Sequence, residues 1–266
     1  MGDALILAGF FLLCLLVQVG VYPHIDMTVG VRGKSIRVSN QVVISVLVGF
    51  FVLALGLAFS LTVDEGPSGL QQILIGLFTL SWLILLNHIL RNVGTGVRLA
   101  LSALLTSALV LLVFTYPHVL LQNVFMACAL LWVGPVMFRR YRIRIRWFLL
   151  GLLILLIIDV VNIALVYSDE TIMVTPGFLS GIIVFGNSLL GIGDILLGYL
   201  IVSASLRYHG TGTAFLLALL IAIPIVIREF ITPLADVMLP YYAVMVPVTF
   251  AVYALRWWFA RMPRRA

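Results

Sequence analysis

This chain has little charge. Acidic and basic side chains together make up 10% of it, against 63% hydrophobic residues, and the mean hydropathy is +1.22. A water-soluble globule needs far more polar surface, so the composition implies an integral membrane protein. Cysteine is scarcer still. Cys14 and Cys128 are the only two, each in an apolar run away from any His or Cys cluster, which excludes a disulfide framework and a zinc site and leaves both as packing residues. No metal or other cofactor is expected. The first run, MGDALILAGFFLLCLLVQVGVY, lacks the basic start, short apolar core and small-residue cleavage site of a secretory signal, so it is expected to remain as a helix. Gly2 is not followed by Ser or Thr at position six, which removes the myristoylation motif.

What the chain has instead is long apolar runs. They fall at about residues 4–22, 41–63, 68–89, 99–115, 118–138, 147–167, 177–205, 213–233 and 237–257. A helix needs about 20 such residues to cross ~30 Å of hydrocarbon, so the expected fold is all-α, a polytopic bundle of nine transmembrane helices forming one domain over residues 1–266. Breakers such as Gly66-Pro67, Pro117 and Pro176-Gly177 separate the runs.

The charges test this count. Arg32, Lys34 and Arg37 lie between spans 1 and 2, Arg91 and Arg98 between 3 and 4, and Arg139, Arg140, Arg142, Arg144 and Arg146 between 5 and 6. Arg207 follows span 7, and Arg256, Arg261, Arg264 and Arg265 end the chain. The alternate connections carry Asp64, Glu65, Asp169, Glu170 and Asp236 without a basic residue, and only Arg228 breaks the pattern. Positive residues are retained on the cytoplasmic side, so the N-terminus is expected outside and the C-terminus inside. The net charge of +6 is thus topological: RIRIRW at 142–147 and RWWFARMPRRA at the end are expected to anchor in anionic lipid, with no nucleic-acid partner. The few polar residues elsewhere have plain readings, with Arg228 and Glu229 snorkelling from span 8 and His88 beside Asn87 at the interface.

Two acids do not fit a plain reading. Asp159 lies thirteen residues from Arg146 and Asp194 thirteen from Arg207, which places both carboxyls ~20 Å from the same membrane face at ~1.5 Å per residue. An ionised, unpaired carboxyl in hydrocarbon costs several kcal/mol, so two at one depth mark a functional site. The short connection SDETIMVTP is expected to make spans 6 and 7 neighbours. Facing carboxyls tend to share one proton, and the pair can then activate a water and protonate a leaving group. Gly191 and Gly193, in Gly-Ile-Gly-Asp, remove bulk beside Asp194 and weaken the helix there, while Asn162 and Asn187 are placed to line a wetted cavity. Taken alone, the pair is equally open to an ion relay or to a hydrogen-bonded lock between helices.

Nine spans, an aspartate in span 6, Gly191-Ile192-Gly193-Asp194 in span 7 and a proline-bearing start to span 9 resemble the presenilin and signal peptide peptidase family of intramembrane aspartyl proteases. NSLLGIGDILLGYLIVSASLRY is similar to the signal-peptide-peptidase form of the catalytic span. The resemblance implies that Asp159 and Asp194 are the catalytic dyad, that Gly191 and Gly193 are the glycines of its GxGD motif, and that spans 1–5 (1–138) are scaffold for a catalytic half at 147–257. It implies single-span membrane proteins or signal peptides as substrates. The family's Pro-Ala-Leu motif is replaced: Pro240 and Pro247 keep the signal-peptide-peptidase spacing, but Tyr241 and Tyr242 stand for Ala and Leu, and Ile158 stands where Tyr usually precedes the first aspartate. Those four span 9 residues are the candidate substrate-positioning set.

Two other functions compete. A prepilin-type peptidase also carries GxGD but works at the cytoplasmic edge, and a proton- or cation-coupled transporter would use the aspartates as a relay, although no matched pair of broken helices appears in two halves. The location expected is a prokaryotic plasma membrane.

Overall fold

Apolar runs free of turn chemistry leave the backbone one way to satisfy its own N–H and C=O groups, and most of this chain is helical accordingly. The computed structural model describes residues 2–23, 68–90, 92–116, 118–166, 182–186, 188–235 and 241–261. Span 2, the basic connection before it, the loop at 167–181, Asn187 and Pro240 lie outside the described residues, as do the side chains of Asp159, Asn162, Arg228 and Glu229.

The helices are α1 (Gly2–Val21), α2 (Ser68–Ile89), α3 (Thr95–Thr115), α4 (Val119–Ala129), a single turn α5 (Val133–Pro135), α6 (Ile145–Val166), α7 (Ile192–Tyr208), α8 (Thr211–Ala235) and α9 (Tyr242–Arg261). A π-turn, Val136–Arg140, follows α5. Gly2–Val21 and the segment Val119–Arg139 are long and apolar enough to cross a membrane. Among the described residues, Gly76–Ile89, Ala100–Val113, Ile145–Ile158 and Thr211–Ile227 are further apolar helical stretches of 10–17 residues.

Two expected spans are not continuous helices. Span 5 ends as an α-helix at Ala129, because Gly134-Pro135 follows within a turn and Pro135 has no N–H to donate. Span 7 departs further. Its first part is a β-hairpin, β1 (Ile182–Phe185) paired antiparallel with β2 (Ser188–Gly191) in the register Ile182↔Gly191 to Phe185↔Ser188. Ile182-Ile183-Val184-Phe185 is a β-branched and aromatic run, and the two-residue loop that follows opens on Gly186 at φ +56°, as hairpin turns require. The mostly helical fold agrees with the all-α expectation, with one hairpin among the described residues.

α1 organises the described core. It packs along α8 and α7 and touches both hairpin strands. Leu7, Phe11 and Leu15 of α1 are fully buried with Ile195 and Ile201 of α7 and with Leu217 and Ile221 of α8. α9 packs on α6 and α8, and α2 pairs with α3 and α4.

Candidate functional site

Asp194 owes its place to the hairpin. β2 ends at Gly191, whose extended backbone (φ −66°, ψ 146°) is the N-cap of α7, and Asp194 is the third residue of the helix. Its carboxylate Oδ2 accepts the Gly191 N–H at 3.0 Å. This is the reach-back half of a capping box, and the acid also sits at the positive end of the helix dipole. The GxGD glycines are thus not a weak point inside a long helix. Gly191 is the strand-to-helix corner, and Gly193 is where another helix comes close.

That helix is α9. The Tyr242 hydroxyl lies over the bare Cα of Gly193, 2.9 Å from where a Cβ would stand, so any side chain at 193 would collide with it. Tyr241 has a different task. It is buried, sets its ring edge-on to Phe11 with centroids 5.8 Å apart, and donates its hydroxyl to the Ile221 carbonyl of α8, one turn before Pro224. The two tyrosines therefore divide: Tyr242 reaches the GxGD corner and Tyr241 fastens α9 to α1 and α8. Pro247 is exposed inside α9, and since it has no N–H the Ala243 carbonyl loses its helical partner. Lower down, the Ser205 hydroxyl of α7 shares a 2.8 Å hydrogen bond with the Tyr253 hydroxyl of α9.

Asp159 lies on α6, near the end opposite Arg146, and the unbroken helix keeps the ~20 Å rise between them; α7 likewise runs unbroken from Asp194 to Arg207. The expected side-by-side packing of spans 6 and 7 is not found among the described residues. α6 packs chiefly against α9, and α9 in turn touches α7 through Tyr242 with Gly193 and Tyr253 with Ser205. With residues 182–191 spent on the hairpin, span 7 offers a short helix, and among the described residues α9 is the element that meets both aspartate-bearing helices.

Sequence reading missed the part played by α1. Four contacts fix it parallel to the hairpin and α7. At the hairpin turn, Gly186 leaves room for the Asp3 carboxylate, which a Cβ would overlap. Phe10 meets Phe185 of β1 with the rings tilted at 52° and their centroids 5.2 Å apart. Gly198 of α7 admits Phe11 and Leu15, each with an atom 2.8 Å from where its Cβ would be. Gln18 Nε2 donates to Ser203 Oγ at 2.8 Å, both residues fully buried, and Gly134 closes over the same pair. Asp3 and Gln18 are polar residues in an otherwise apolar run, the one signal that could have flagged them.

No protein-family model matches the chain, and no curated protein sequence matches it either.

Proposed function

We propose that the chain is an intramembrane aspartyl endopeptidase, a bundle of nine membrane-crossing helices with its N-terminus outside and C-terminus in the cytoplasm, which hydrolyses peptide bonds in single-span helices or signal peptides. The observation that carries the reading is the meeting of three motif parts: Asp194 at a strand-to-helix corner, Tyr242 of α9 closing on Gly193, and the same α9 packed on the helix of Asp159. With Tyr242 seated against the bare Gly193, a phenol hydroxyl stands at the same helix start as the carboxylate, where an opened peptide would be held. A substrate helix must open before attack, because its carbonyls are already hydrogen-bonded and covered.

In this mechanism one carboxyl is ionised and the other holds the shared proton. The ionised carboxylate removes a proton from water as the water oxygen bonds to the peptide carbon, and the protonated carboxyl donates to the carbonyl oxygen. The C–N bond then breaks as a proton passes to the leaving nitrogen, giving an acid and an amine. Tyr242 and the Ala243 carbonyl freed by Pro247 provide polar groups near the corner for positioning the opened strand. The end of α1, the basic π-turn and the basic end of α7 gather on one face, since Arg139 Nη1 donates to the Tyr22 and Pro23 carbonyls and the Tyr208 hydroxyl to that of Ile143. This gathering favours the orientation with that face cytoplasmic.

The test is cleavage of a single-span substrate by purified protein in liposomes. Asp159→Asn and Asp194→Asn should each lower the rate by at least ~10²- to 10⁴-fold, the span of general acid–base catalysis, with the fold retained by circular dichroism. Unaltered cleavage by either variant would remove the dyad. Ion flux lost in the same variants, with no substrate cut, would favour transport.

A further inference from the structure

At the end of the bundle away from Asp3, the Tyr22 hydroxyl is among the buried polar atoms of the described residues that have no partner. Tyr22, at the C-terminal end of α1, is 7% exposed, and its hydroxyl makes no hydrogen bond among the described residues. Buried hydroxyls are ordinarily satisfied, so an orphaned one asks what it faces. The Arg139 guanidinium lies over the Tyr22 ring, 5.6 Å from its centroid, held there by the two carbonyls that end α1, at 2.9 Å each. Arg207, at the end of α7, also acts electrostatically on the Tyr22 hydroxyl. Tyr208 stands beside it, with the charges of Arg207 and Arg144 on its own ring. Two cations from separate elements, Arg139 of the π-turn and Arg207 at the end of α7, thus flank the unused Tyr22 O–H at the end of α1.

We infer that Tyr22, Arg139 and Arg207 form a binding site for a phosphoryl group. A tetrahedral phosphate accepts hydrogen bonds in several directions at once and suits guanidinium forks, and a neutral hydroxyl adds a directional donor that a diffuse positive surface lacks. Such a group can come from the headgroup of an anionic lipid at this face or from a free phosphate in solution. The site uses no residue of the proposed dyad, so its fate is independent of the protease reading.

The experiment uses the full chain in two arms. In the first, protein in nanodiscs of phosphatidylglycerol and phosphatidylcholine is extracted into detergent, and retained phosphatidylglycerol is counted by native mass spectrometry. In the second, detergent-solubilised protein is titrated with inorganic phosphate by calorimetry. Tyr22→Phe, which keeps the ring and removes only the donor, should weaken the anion about tenfold, the worth of one hydrogen bond to a charged group, and Arg207→Gln by as much or more. Arg256→Gln, on the same face but outside the cluster, should change little. Sensitivity to Tyr22→Phe in the lipid arm assigns the site to a headgroup, and sensitivity in the phosphate arm assigns it to the free ion. Equal loss in Arg256→Gln and Arg207→Gln, or no effect of Tyr22→Phe in either arm, overturns the site.

Discussion

The two helices that carry the aspartates are built differently. α7 is enclosed: Ile195, Leu197, Gly198, Tyr199 and every residue from Ile201 to Ser205 are buried. The Tyr199 hydroxyl donates to Ala127, and the Ser205 hydroxyl to the Ile201 carbonyl within α7. α6 presents Leu150, Leu153, Ile154, Leu155, Ile157 and Val160 outward, each 40–54% exposed. A contiguous apolar face of that kind suits lipid and not water. Asp194 thus rests on an over-determined element, whereas among the described residues Asp159 rides on a helix joined to the rest chiefly through α9. Whatever adjusts the distance between the two carboxyls will act through α6 and α9 more readily than through α7.

The comparison can be broken most severely at the hairpin. Gly186→Ala places a side chain at φ +56° and into the Asp3 carboxylate. Left-handed strain alone costs ~1–2 kcal/mol, and the collision adds to it. Substrate cleavage should fall at least tenfold as the GxGD corner shifts, read as kcat on a single-span substrate. Normal kcat would mean that α1 does not position Asp194. Next in size is Gly198→Ala, which sets a methyl against buried Phe11 and Leu15. Overpacking here should lower stability by ~1–3 kcal/mol, measured as a drop in detergent-phase Tm.

Much of this contrast was not visible in the residues. The helix at 68–89 matches its apolar run to the residue, and α1, α3, α6, α8 and α9 lie within five residues of theirs, since a long run of Leu, Ile and Val leaves the backbone no other solution in hydrocarbon. The hairpin was concealed by its own hydropathy. A window of spanning length averages Ile-Ile-Val-Phe with the Leu-rich helix after it, and Gly-Asn between two short apolar runs is a local turn signal that such averaging erases. GxGD was legible as a motif, but its geometry was not: whether Asp194 lies mid-helix or at a cap depends on where the strand ends. Tyr241 and Tyr242 were legible as a pair near the site, yet adjacent positions on one helix start face different partners, and only packing assigns one to Gly193 and the other to Ile221. The α1 register is a long-range contact with no local pattern to announce it.

A smaller effect sharpens the same contrast with the opposite sign. Gly151 of α6 has nothing within 4 Å of where a Cβ would stand. Gly151→Ala should therefore stabilise the protein by up to ~1 kcal/mol, because it removes the entropy cost of glycine in a helix without meeting a neighbour. A loss of stability comparable to that of Gly198→Ala would show that α6 is as enclosed as α7, and the distinction would fail.

The smallest expected effect is at the C-terminal end of α7, where His209 is the C-cap. Its ring lies 4.6 Å from that of Tyr253, and its carbonyl accepts from Arg256 Nη2 at 3.4 Å, so it joins α7 to α9. Partial burial, and then the nearby positive charge of Arg256, hold its pKa below the ordinary 6.5. A histidine lowered on folding binds its proton more readily in the unfolded chain. Its contribution to stability is therefore complete above pH 6.5 and is lost as the pH falls through the folded-state value. Arg256→Gln should move the His209 titration, followed by NMR of the ring protons, up toward 6.5 while leaving some depression from burial. If the titration does not move, the α7–α9 contact at this end is looser than the Ser205–Tyr253 bond one turn above implies, and the enclosure of α7 would stop short of its last turn.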